Sequence, residues 1–315
     1  MVGARAGHAV VRCKNASHFL SALFTNGRRF AFHDIRSWIF RGVADASWNL
    51  VPSAFRVILR TPAFGTEPAK ASDPSGRKNA IQIGFELEQL RSFIDHADRA
   101  GLNLPEDTQL TRELLGKLQH AANWGTLRDE AVVWPPRNLW SLLAKAQHHR
   151  VPTRLLDWTW SSRVAAYFAA VEALRRPHIE EMAVWAYRAE LHEDVPEAAR
   201  AVATRVKLVK SPYGANVNLA AQRGVHLLYE PESNAPTATL NVHCIHNALA
   251  TIHRAYRDEY QIDTLVQFVV PASEAREVIN LLRREDVTAA SIYPGFDGAA
   301  AAVREEFFWL YDYEP

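Results

Sequence analysis

Cysteine is nearly absent: Cys13 and Cys244 are the only two in 315 residues. One pair cannot supply the disulfide framework of a small secreted scaffold, and neither has a partner at zinc-finger spacing. A reducing, cytoplasmic setting is the expectation. No run of about 18 apolar residues occurs, which excludes an ordinary membrane-spanning helix. The first eleven residues lack the sustained apolar core of a signal peptide, so no membrane partner is expected. An excess of one charge is missing too. Lysine and arginine number 36 against 35 acids, a net charge of +1, which argues against a broad nucleic-acid footprint. Also absent are a Walker-type phosphate loop, a dinucleotide glycine fingerprint and a Gly-x-Ser-x-Gly elbow.

Large apolar side chains, in contrast, are plentiful. Nine tryptophans and fourteen phenylalanines provide for a sizeable core. Recurrence of apolar residues at three- and four-residue spacing predicts helices at 15–26, 79–96, 108–122, 138–147, 162–174 and 274–284. Ser161 or Ser162 is the expected N-cap of the fifth, and Ser273 that of the sixth. Alternation predicts strands at 37–43, 182–189, 224–229 and 264–270. Three prolines and two glycines make 61–78 a loop or disordered excursion, and 291–298 reads as turn. No repeat or linker divides the chain. The expected architecture is one α+β domain over 1–315, with a mixed or split β-sheet. Residues 1–35 would form an N-terminal helical cap, 61–150 a loop and helical insertion after the first strand, and 151–300 the remaining core.

The densest chemistry lies in Ala146-Gln147-His148-His149-Arg150-Val151-Pro152-Thr153-Arg154-Leu155-Leu156-Asp157-Trp158-Thr159. So many polar groups leading into an apolar helix are costly to bury unless each finds a partner, which points to a site. His148 and His149 could serve as acid and base. Adjacent helical residues project about 100° apart, so one metal cannot readily take both. Two further alternatives stay open. Gln147 and His148 could pair with backbone of the following loop while Asp157 pairs with Arg154; or Trp158 and Thr159 could wall a ligand pocket.

Three other segments matter. Phe40-Arg41-Gly42, at a strand end, offers a forked phosphate donor beside a residue that lets a ligand approach the backbone; the plainer reading is a surface arginine before a turn. Gln222, at the mouth of the 224–229 strand, could hold a ribose hydroxyl or cap a helix. His243, His246 and His253, with Cys244, suggest a metal cluster but lack a carboxylate, and no metal is expected.

In this order the residues resemble the FRG domain family, named for its Phe-Arg-Gly motif. The likeness covers roughly 36–300. It takes in Phe40-Arg41-Gly42, Leu50-Val51-Pro52-Ser53-Ala54-Phe55-Arg56, the block from 146 to 169, Ala221-Gln222-Arg223-Gly224, and Ile292-Tyr293-Pro294-Gly295-Phe296-Asp297-Gly298. Arg150 departs from the glycine usual in the family. A weaker likeness is to ADP-ribosyltransferases, whose three motifs are similar to Arg41-Gly42, to Asp157-Trp158-Thr159-Trp160-Ser161-Ser162, and to Gln222-Arg223-Gly224-Val225. Gly224 stands where those enzymes carry a catalytic glutamate.

The second resemblance implies a sheet like the ADP-ribosyltransferase core and an enzyme using NAD. Such a transferase breaks the nicotinamide–ribose bond and passes ADP-ribose to a protein or nucleic-acid acceptor. It would be a bacterial toxin or defence effector with a cognate antitoxin or defence partner. On this resemblance Arg41 holds the pyrophosphate and the Gly42 backbone the nicotinamide amide. Trp158, Thr159, Ser161, His148 and Arg154 line the cofactor site, and Gln222 positions the ribose or acceptor. Asp157 (or Glu230) supplies negative charge against an oxocarbenium-like transition state. The alternative is a non-catalytic module binding a nucleotide or nucleic acid, with a histidine nuclease third. The first two readings require Arg41, the 157–159 segment and Gln222 to meet in one cleft.

Overall fold

Short alternating strands, interrupted by amphipathic helices, build an α+β fold around one mixed sheet. The structure, a computed structural model, describes residues 2–5, 7–25, 37–58, 77–123, 134–190, 195–212, 214, 216–230 and 243–309. The expected loop at 61–78 lies outside them as far as residue 76. Eight strands, β1 (Val2–Arg5), β2 (His8–Arg12), β3 (Trp38–Val43), β4 (Leu156–Thr159), β5 (Glu181–Arg188), β6 (Val206–Val209), β7 (Gly224–Tyr229) and β8 (Leu265–Pro271), lie in the order β1-β2-β8-β5-β3-β4-β7-β6. Neighbours are antiparallel except β2 and β8, which run parallel.

Side chains alternate across the sheet, so each strand feeds two cores. On one face Ala9, Val11, Trp38, Phe40, Met182, Val184, Val266 and Phe268 pack under α1 (Ala16–Thr25), α6 (Ser162–Leu174) and α10 (Ala275–Arg283). Buried alanines at 165, 166, 169, 170 and 173 let α6 lie close to the strands. On the opposite face Ile39, Leu156, Trp158, Trp185, Tyr187, Val225 and Leu227 meet Ile245 and Leu249 of α9 (Cys244–Tyr260). A third core joins Leu155, Val209 and Leu228 to the helices inserted between β3 and β4. These follow the short α2 (Ser53–Ile58) and are α3 (Arg77–Arg99), α4 (Gln109–Asn123) and α5 (Trp140–His148).

The mixed sheet is as expected, the helical insertion follows the expected 37–43 strand, which is the third and not the first in the chain, and Ser161 caps α6 by accepting from the Val164 amide. Three readings need correction. Residues 1–35 do not begin as a helical cap, because β1 and β2 form a hairpin that extends the sheet before α1. Residue Ser273 does not cap α10; it lies within a 3-10 turn, Ala272–Glu274, that leads into the helix. Of the expected turn at 291–298 only 293–295 lies outside helix, between α11 (Ala289–Ile292) and α12 (Phe296–Arg304). The clustered histidines lie at α9: His243 is its N-cap residue, and His246 and His253 fall within the helix. Two short helices, α7 (Glu197–Ala203) and α8 (Val217–Ala221), complete the set.

Candidate functional site

β3 and β4 are adjacent but share one registered pair, Phe40 with Thr159. Past that pair, Arg41 Nη1 donates to the Asp157 carbonyl oxygen at 2.7 Å and lies 3.7 Å from Asp157 Oδ2. A guanidinium thus bridges the strands where ladder bonds end. Burial pushes Arg41 down to about 10 while the Asp157 carboxylate opposes the shift, so the group remains cationic at neutral pH. Gly42 pairs with Val184 on β5, and a Cβ there would stand 2.0 Å from the Ala165 carbonyl oxygen of α6. Its bare Cα lets β3 seat directly on that helix.

Asp157 has Leu156 and Trp158 as neighbours, both directed into the α9-covered core, so its own side chain projects to the other face. There its carboxylate is 57% exposed. Oδ1 accepts from Gln147 Nε2 of α5 at 2.6 Å and lies 3.5 Å from His226 Nε2. His226 is the cross-strand partner of Asp157 on β7 and is buried. Burial holds its imidazole below the usual histidine range, with the Asp157 charge opposing. His148, at the end of α5, meets Asn218 Nδ2 of α8 through Nε2 at 3.2 Å. Burial first, then the His149 and Lys145 charges, lower its proton affinity.

Phe40-Arg41-Gly42 and the block through α6 therefore converge on one exposed carboxylate. Residues 36–177 match the model of the FRG domain. Over this span the chain is similar to the FRG domain family. No curated protein and no solved structure matches the chain. The matched span runs from just before β3 to just past α6, so the FRG segment contains Arg41, Gln147 and Asp157, while β7 and Gln222 lie beyond it.

Other expected site residues of the FRG segment have different surroundings. Arg154 does not pair with Asp157. It is 5% exposed and forks onto Glu86 of α3, Nε to Oε2 at 2.7 Å and Nη2 to Oε1 at 2.9 Å, between the rings of Phe55 and Trp134. Glu86 also accepts from Trp134 Nε1 at 2.9 Å. Arg154 is therefore the anchor of the helical insertion. Trp158 is buried in the α9-covered core against Tyr187, on the side away from the Asp157 carboxylate. Thr159 Oγ1 donates to the Gln222 carbonyl oxygen at 2.6 Å and accepts from the Ser161 amide at 2.9 Å. The Gln222 side chain reaches the Ile292 carbonyl oxygen at 3.4 Å. So the β3, β4 and β7 segments do come together, with Arg41, Asp157 and Gln147 at the exposed carboxylate and Thr159, Ser161 and Gln222 bonded mainly to backbone.

Glu230 pairs with Lys207 Nζ at 3.3 Å. His253 Nδ1 accepts from the Thr264 and Leu265 amides, both at 3.2 Å, and His246 packs on Trp185. Among the described residues no group of three His, Cys, Asp or Glu side chains is arranged for a metal. Sequence reasoning missed Gln147 as the partner of Asp157, and Thr153 as the partner of Gln147. Their signal was present, since both fall in the one polar block where every group needs a partner.

Proposed function

We propose that the cleft at Arg41 and Asp157 binds NAD, and that the chain is an ADP-ribosyltransferase-like enzyme that breaks the nicotinamide–ribose bond. One observation supports this reading: an exposed carboxylate is held by an amide 2.6 Å away, with a guanidinium 3.7 Å from its other oxygen. Negative charge aimed before the reaction stabilises an oxocarbenium-like transition state without reorganisation. In this reading Asp157 does the electrostatic work of the glutamate whose position Gly224 occupies, and Arg41 holds the pyrophosphate. On this reading the short β3–β4 pairing, one registered pair, would correspond to the split of a transferase-like sheet. ADP-ribose passes to a protein or nucleic-acid acceptor, and the activity suits a cytoplasmic toxin or defence effector restrained by a partner.

Nicotinamide release from NAD tests it. Asp157→Asn is expected to lower release about a hundredfold or more, the scale of losing one aimed charge or donor. No release by the unaltered chain overturns the reading. A second reading, a non-catalytic nucleotide-binding module, is favoured by Gly224, where β7 closes on Leu219 and offers no carboxylate. It predicts saturable binding without turnover, weakened by salt if phosphate contacts dominate.

A further inference from the structure

Ser53, Thr153, Gln147 and Asp157 form one hydrogen-bonded chain from α2 to the exposed Asp157 carboxylate. Ser53 Oγ donates to the Thr153 carbonyl oxygen and accepts from the Thr153 amide, both at 3.1 Å. The Ala54 amide adds a second bond to that carbonyl at 3.0 Å. Thr153 is therefore fixed, and it is 2% exposed. Its Oγ1 accepts from the Leu155 amide at 3.2 Å, leaving its one proton to donate to Gln147 Oε1.

That bond decides which way round the Gln147 amide lies. With Oε1 on the threonine hydroxyl, Nε2 faces the Leu155 carbonyl oxygen at 3.1 Å and Asp157 Oδ1 at 2.6 Å. Both are acceptors, so every group in the chain is matched donor to acceptor. Oδ1 is occupied by this amide and faces His226 Nε2 at 3.5 Å, while Oδ2 faces Arg41 at 3.7 Å.

We infer that Gln147 is the positioning residue of Asp157: it pins Oδ1, so that Oδ2 is the oxygen presented to a ligand. Gln147 touches no reacting atom and acts through the carboxylate alone. A carboxylate free to rotate spreads its field over several positions, whereas a pinned one meets developing charge already oriented. A neutral amide does this without adding a charge of its own. The kinetic part of the inference rests on the transferase reading; the hydrogen-bonded chain does not.

The test uses the full chain labelled with 15N-glutamine. The Gln147 side-chain amide signal is assigned by its loss in Gln147→Met. It is expected to move in Asp157→Asn and in Thr153→Val, which keeps the branched shape without the hydroxyl, and to stay in place in Thr153→Ser. With NAD, Gln147→Met and Thr153→Val are expected to lower kcat about tenfold or more while KM changes less than about twofold, and Thr153→Ser to restore kcat. An amide signal unmoved by Asp157→Asn overturns the inference, as does unchanged kcat in Gln147→Met. If the unaltered chain releases no nicotinamide, the transferase reading falls, and the amide signal by itself decides whether Gln147 holds Asp157. Should Thr153→Val fail to fold, Gln147→Met and Asp157→Asn carry both measurements.

Discussion

An alanine Cβ at position 42 would stand 2.0 Å from the Ala165 carbonyl oxygen and 2.7 Å from the Ala169 nitrogen, both backbone atoms of α6. Neither can retreat unless the helix lifts from the strand. Gly42→Ala is therefore expected to destabilise the fold by about 3 kcal/mol, the upper range for overpacking, read as a lower denaturant midpoint. Trp158 behaves oppositely. Its indole is 3% exposed, and among the described residues its Nε1 has no hydrogen-bond partner. Trp158→Phe removes an unpaired buried N–H together with some packing, so the two effects offset and the loss should stay under about 1.5 kcal/mol. Ligand affinity should not change, because the ring faces the core. A tenfold weaker NAD affinity in Trp158→Phe would return the indole to the cleft.

Among the elements, the helical insertion is tied to the sheet by the buried Glu86–Arg154 fork, whose side chains are 2% and 5% exposed. Removing one partner leaves the other charge buried and uncompensated. Glu86→Gln should therefore cost about 3–5 kcal/mol in urea unfolding, while Glu86→Met with Arg154→Met should recover most of it. A simple sum of the two single losses would contradict direct pairing. At this scale much was legible in the sequence. The residues of α3 to α6 repeat at helical spacing and fold as their periodicity requires. Even the orientation of Trp158 could be read, since consecutive strand residues point to opposite faces and Asp157 and Trp158 cannot share a cleft. Less legible were the β1–β2 hairpin, whose Gly and Ala residues give little alternation, and α9, whose histidines blur its apolar stripe. The Arg154 partner lies 68 residues away in the chain, a pairing no local pattern encodes.

For the molecule as a whole, buried imidazoles set the response to acid. His226 and His253 are both held below the usual histidine range, chiefly by burial, with Asp157 and Asp263 opposing. His253 Nδ1 already accepts two backbone N–H bonds and cannot do so once protonated. The unfolded chain takes up these protons near pH 6.5 and the folded chain resists them. Their contribution is therefore complete above that pH and is lost as pH falls through it. Glu305 runs the other way: burial raises its carboxyl, so its contribution declines as pH rises out of the carboxylate range. Thermal unfolding should show Tm falling from pH 7 to 5.5, less steeply in His253→Asn; a Tm that rises over that interval contradicts the assignment. The sheet order, which brings β3, β4 and β7 side by side, was not legible locally, because it depends on pairings among distant strands.

Arg154 and Asp157 stand three positions apart, the first gripped by α3 and the second, on β4, aimed beside β3. A tether that short couples the two. Prising the insertion from the sheet is expected to pull the acid out of aim, so this arm governs the carboxylate as a lever governs its load.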